Sequence, residues 1–183
     1  RIFPGCRLLD IHEYLLEKGV KLEGLQGTQF MYHEPCHTPM KQHSGIKVVN
    51  QLMGQRVDLN DRCCGESGTL AVSRPDVSTQ IRFRKQQEIE AGVERLRNAT
   101  NPTAGTRLGA GGTATAGSAT NMDTVKILTS CPSCLQGLAR YRDDANVEAD
   151  YVVVEMARRL LGADWMEKYV AAANAGGIER VLL

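Results

Sequence analysis

Five cysteines in an uncommon arrangement constrain this chain more than anything else in it. Cys36 stands between Pro35 and His37, Cys63-Cys64-Gly65 follows after 26 residues, and a longer spacer leads to Cys131-Pro132-Ser133-Cys134. Vicinal cysteines bridge each other only with strain. They can, however, offer two sulfurs to adjacent atoms of a polynuclear cluster. Gly65 and Gly68 allow the backbone to come close to a bound group. A helix opening at Cys131 favours thiolate there and at Cys134. Five thiolates exceed the four that tetrahedral zinc or an ordinary cubane cluster uses.

The remainder of the chain reads as a scaffold able to gather these thiols. At 183 residues it is one domain, large enough to bury a core without disulfides. The six cysteines, Cys6 included, therefore favour a metal or cluster site over three disulfide staples. Thr28 to His33, Arg56 to Leu59, Val125 to Thr129 and a segment within Val147 to Val154 read as strands. Between and around them, helices are expected over Leu8 to Lys18, from a Ser44 cap to Gly54, and from a Ser73/Asp76 capping box through Leu96. Further helices are expected from Cys131 with Leu135, Leu138 and Tyr141, over Glu155 to Leu161, and over Asp164 to Ala173. Strands alternating with helices predict an α/β fold, layered around a mostly parallel sheet. In such sheets ligands sit outside the carboxyl ends of the strands. Cys36 and Cys131 each follow an expected strand, so the cysteine site is expected at one rim of the sheet.

The motifs resemble the CCG domain, a cysteine-rich repeat of the form C-x(n)-C-C-G-x(n)-C-x-x-C. The matching stretches are Tyr32-His33-Glu34-Pro35-Cys36-His37, Cys63-Cys64-Gly65-Glu66-Ser67-Gly68 and Thr129-Ser130-Cys131-Pro132-Ser133-Cys134. The family includes the B subunit of heterodisulfide reductase, iron-sulfur subunits of glycolate and lactate oxidases, and the C-terminal part of large FAD-linked oxidoreductases. The resemblance implies a 4Fe-4S cluster held by Cys36, Cys63, Cys64, Cys131 and Cys134, with zinc as the alternative. It implies an iron-sulfur electron-transfer module of a flavin-dependent oxidoreductase acting on a small 2-hydroxy acid such as lactate or glycolate. The expected partners are flavin and ferredoxin-like domains of the same longer chain, with FAD on the N-terminal one. The expected location is cytoplasmic, with peripheral attachment at the inner membrane as an alternative. This chain has one CCG repeat where many relatives have two, and Glu66 stands where many have Gly.

Composition narrows the function further. Twenty-two basic and twenty-one acidic residues leave a net charge of +1, which argues against a nucleic-acid binder. No apolar run is long enough to span a membrane. The chain is read as one CCG-type domain, residues 1–183, cut from a longer protein. A flexible Gly/Ala/Thr-rich insertion is expected at about 98–123, too poor in large apolar residues to bury surface. His37 and Glu66 are expected beside the cluster, His37 as a donor to sulfur and Glu66 as a proton shuttle or a cap on a neighbouring N–H. His33 reads as a strand-end residue bonded to backbone, Cys6 as a small buried hydrophobe, and His12 and His43 as surface residues. The Arg82, Arg84 and Lys85 cluster reads as a solvated face. Two other functions compete: a zinc-stabilised interaction domain, and a thiol–disulfide oxidoreductase built on Cys131 and Cys134. The latter gives Cys36, Cys63 and Cys64 no role.

Overall fold

The structure is a computed structural model and describes residues 4–23, 27–66, 69–100 and 124–176. Strands β1 (Thr28–His33), β2 (Asp58–Asn60), β3 (Thr124–Thr129) and β4 (Glu148–Tyr151) form one sheet in the order β2-β1-β3-β4. Every pairing is parallel, so the expected mostly parallel sheet is wholly parallel. Around it, among the described residues, lie α1 (Ile11–Glu17), α2 (Gly45–Met53), α3 (Leu70–Ser73), α4 (Pro75–Thr100), α5 (Pro132–Ala139), α6 (Arg142–Ala145), α7 (Val152–Leu161) and α8 (Trp165–Asn174). The chain leaves β1 for the edge strand β2, then returns past β1 to β3 and moves on to β4. The connections diverge between β1 and β3, which is where a crevice opens at the carboxyl ends of a parallel sheet.

Pleating sends alternate side chains to opposite faces. Phe30, Tyr32 and Leu128 pack against Val48, Val49 and Leu52 of α2 and Val152 and Met156 of α7. Met31, Val125 and Ile127 face the other way, onto Ile89 and Val93 of α4 and Leu138 of α5. Burying each large apolar side chain stabilises the fold by about 1.5–3 kcal/mol. Both faces of β1 and β3 are covered, which explains why these strands read as near-continuous apolar runs.

Several local expectations give way to long-range contacts. Helix α1 begins at Ile11, where the Asp10 side chain accepts from the His12 N–H at 2.9 Å. Its buried residues are His12 and Glu13, while Leu8 and Ile11 are exposed. His12 is thus a core residue and not a surface one. The Ser73/Asp76 capping box does not form. Ser73 closes α3, its hydroxyl donating to the Thr69 carbonyl at 3.0 Å, and Asp76 pairs with Arg74 at 2.8 Å. Pro75 starts α4 instead, as its fixed φ and missing N–H suit a first helical turn. Strand β2 sits one to two residues later than the expected Arg56–Leu59. Helix α4 continues to Thr100, so Asn98, Ala99 and Thr100 of the expected insertion are helical. Residues 101–123 of it lie outside the described residues.

Candidate metal centre

Each cysteine motif hangs from the carboxyl end of a strand. Strand β1 ends at His33, shortly before Cys36. Strand β2 ends at Asn60, before Cys63 and Cys64. Strand β3 ends at Thr129, and Cys131 then forms the N-cap of α5, which carries Cys134 in its first turn. One cavity of about 100 Å³ is lined by all five thiol residues together with Pro35, His37 and Ser133. It lies at the rim where the sheet connections diverge. All five are free thiols graded in depth: Cys64 and Cys134 are buried, Cys63 and Cys131 half-buried, and Cys36 exposed. Cys6 is exposed as well and does not line the cavity, so it is no core residue.

The loops carrying the thiols are fixed by specific bonds. Gly65 adopts φ 78°, a conformation that side chains disfavour, and its N–H points at Cys63 Sγ at 3.4 Å. The buried Ser78 hydroxyl of α4 donates to the Gly65 carbonyl at 3.1 Å. Thr129 Oγ1 donates to the His33 carbonyl at 3.3 Å and lies 3.4 Å from the Cys131 N–H, tying the ends of β1 and β3 together. The loop after Cys36 is held from α1, where Glu13 Oε1 accepts the backbone N–H groups of Lys41, Gln42 and His43 at 3.1, 2.6 and 3.0 Å. Burial works to raise the Glu13 pKa. The bonds from Gln42, Lys41 and His43 outweigh it and hold the carboxyl below its ordinary range.

At the buried end of the cavity the Cys64 and Cys134 sulfurs are 3.5 Å apart. A hydrogen bond from Cys134 outweighs desolvation and, with help from His33, holds the Cys64 thiol down at about 4. The Cys134 thiol is raised in turn, because it keeps the shared proton beside that thiolate. Desolvation and then the nearby Cys63 push Cys36 up. The site therefore favours the thiolate at Cys64 and the thiol at Cys134 and Cys36, and a cation bound there would displace protons. Soft sulfur donors in this number suit an iron–sulfur cluster.

Sequence reasoning undervalued two residues at this site. As expected, His33 lies against backbone at the strand end, its Nδ1 3.0 Å from the Asn60 carbonyl oxygen. It also forms a buried group with Cys64 and Cys134 whose potential ligand atoms all lie within 4.8 Å of one another. Lys85, read as part of a solvated face, is fully buried. Its Nζ lies 3.0 Å from His33 Nδ1, 3.2 Å from the Asn60 carbonyl oxygen and 2.8 Å from Glu88 Oε2. Burial lowers the Lys85 pKa, and Glu88 opposes that shift. The helical period carried the signal: Ser78, Lys85, Ile89 and Val93 share the inward side of α4. Of the two expected neighbours, His37 lines the cavity. Glu66 does not. Its carboxylate pairs with Arg140 and, at 3.2 Å, with Arg82.

Comparison with known proteins adds two likenesses. A family described as a domain of unknown function, DUF3400, matches residues 139–183. That match starts at the last residue of α5 and so lies beyond the cysteine motifs. The chain is also similar to the glycolate oxidase iron-sulfur subunit of Escherichia coli (strain K12). The two are 30% identical over 90 residues, covering 46% of this chain and 22% of that relative. The chain thus spans less than a quarter of the length of the curated relative it matches. No solved structure matches it.

Proposed function

We propose that this chain is the iron-sulfur electron-transfer module of a flavin-dependent oxidoreductase acting on a small 2-hydroxy acid of the lactate or glycolate type. The observation that carries this reading is the convergence of Cys36, Cys63, Cys64, Cys131 and Cys134 on one small cavity. Likeness to an iron-sulfur subunit of glycolate oxidase supports it. In this reading the five cysteines hold a 4Fe-4S cluster, which when bound accepts and passes on single electrons. The protein's part is to hold the sulfurs in place, supply N–H donors such as Gly65, and shield the deep side of the site with α4 and α5. Cys36 and His37, both exposed, form the outer wall and so the natural side for electron entry or exit. In this reading FAD and the hydroxy acid are held by an N-terminal flavin domain of a longer chain, with a ferredoxin-like domain as a further partner. A cytoplasmic or peripheral location belongs to this reading; among the described residues no helix is long and apolar enough to cross a membrane.

A second reading draws on the His33, Cys64 and Cys134 group, whose nitrogen and sulfur donors also suit a structural zinc ion. Anaerobic reconstitution separates the two. Iron and acid-labile sulfide in equal amounts, with a visible charge-transfer band, are expected in the wild type and in Cys6→Ser. Loss of iron is expected in Cys64→Ser. Stoichiometric zinc with no iron uptake, or full iron in Cys64→Ser, overturns the cluster assignment.

A further inference from the structure

We propose that His33 serves the metal centre as an Nε2–H hydrogen-bond donor to sulfur, and not as a ligand, because Lys85 fixes its tautomer from below. The inference rests on reading the cavity as a metal centre, yet the tautomer itself can be measured without any metal.

The argument is a proton count. Lys85, paired with the Glu88 carboxylate at 2.8 Å, is counted as an ammonium group, which has three donors and no acceptor. Lys85 Nζ has three close partners: His33 Nδ1 at 3.0 Å, the Asn60 carbonyl oxygen at 3.2 Å and Glu88 Oε2 at 2.8 Å. All three N–H groups are used only if His33 Nδ1 accepts. Were Nδ1 protonated, to donate to the Asn60 carbonyl oxygen, two donors would face each other at 3.0 Å in a fully buried site. One N–H of a buried cation would then have no acceptor, among the costlier defects a core can carry. With Nδ1 accepting, the nearby Asn60 oxygen and the ring nitrogen are bridged by one shared cation.

Neutral imidazole carries one proton, so it must then sit on Nε2. That atom is buried and has no hydrogen-bond partner. With Nδ1 engaged by Lys85, Nε2 is the nitrogen left for the sulfurs of Cys64 and Cys134. A protonated nitrogen has no lone pair for a metal. It can donate to a thiolate or to a cluster sulfur, and N–H donors to sulfur are among the features that set a cluster's reduction potential. His33 is therefore a positioning and tuning residue, with Lys85 as the residue that orients it.

The test uses the wild-type chain, labelled with nitrogen-15 at histidine and kept reduced and metal-free. Two-bond proton–nitrogen correlations report the tautomer of each ring, and His33→Gln identifies the His33 signals by their loss. We expect the Nε2–H tautomer for His33, and its loss in Lys85→Met. An Nδ1–H or doubly protonated ring in the wild type overturns the proposal. After loading with iron and sulfide, His33→Gln, which keeps an N–H near the position of Nε2, should hold wild-type iron and potential. His33→Leu should hold the iron at a lower potential. A directly coordinated histidine nitrogen in pulsed EPR spectra of the loaded wild type would also overturn it. If the chain takes up no iron, the proposed function fails, while the metal-free spectra still decide the tautomer.

Discussion

Glu13→Gln removes one negative charge and keeps an oxygen where Oε1 accepts three backbone N–H groups. A hydrogen bond to a charged acceptor contributes about 1.5–3 kcal/mol and a neutral one about 0.5–1.5 kcal/mol. Losing the charge thus weakens each bond by roughly 1 kcal/mol. Lys41, Gln42 and His43 are exposed residues, so water replaces part of the loss, and a total of about 2 kcal/mol is expected. In a domain of this size that lowers Tm by about 4–8 °C. The effect should depend on pH in a set direction. The folded-state pKa of Glu13 lies below its ordinary value. Its contribution is therefore full above the unfolded value of about 4.3 and disappears as pH falls through the lower folded value. Calorimetry under anaerobic, metal-free conditions should show the gap between wild type and variant at pH 7 and pH 5, closing well below pH 4.3. Because the loop follows Cys36, the variant's Cys36 should also alkylate faster. A Tm within 1 °C of wild type at pH 7, or a gap that widens with acid, would refute the clamp.

Gly54 closes α2 at φ 64°, and a Cβ there would stand 1.9 Å from the Leu22 carbonyl oxygen. Gly54→Ala should therefore destabilise well beyond the roughly 1 kcal/mol typical of a helix-interior change. A urea midpoint equal to wild type would show that the Leu22 segment can move aside. Glu155 is fully buried among Lys126, Arg158 and Arg159 at 3.1, 2.7 and 2.8 Å. Glu155→Ala should lose about 1–3 kcal/mol, because Lys126 and Arg158 keep Glu148 and Asp150 as partners and both arginines reach solvent, and an unchanged urea midpoint would contradict that.

The elements legible in the sequence are those whose signal is local. Strands β1 and β3 are short β-branched or aromatic runs, α2 has an apolar face ending in Gly54, and α5 opens at Cys131-Pro132. Their positions place the cysteine motifs, so the rim site followed from them. What stayed hidden are polar residues whose burial depends on partners far along the chain. His12 and Glu13 were masked by the more apolar Leu8 and Ile11, which the fold leaves exposed. Glu13 turns inward because loop 41–43 offers it three N–H groups. Lys85 looked like surface charge because its acceptors, His33 and the Asn60 carbonyl, come from other segments. The expected capping box failed for a nearer reason: Pro75 already supplies the helix start that Ser73 was expected to cap.

The bond from Thr129 to the His33 carbonyl joins residues 96 positions apart, and the whole β1–β3 pairing is of that kind. Contacts so distant along the chain form late and slowly, since the loop must close before pairing rewards it. Cys36, Cys63 and Cys64 belong to the part of the chain made before that closure, and Cys131 and Cys134 to the part made after it. During synthesis the first three thiols exist with no second half of the site to meet. The rim cavity appears only when β3 docks beside β1, so its five thiols come together only with the slowest pairing in the sheet. A half-made chain presents three of the cavity's sulfurs on loops not yet joined to β3; the finished fold presents all five.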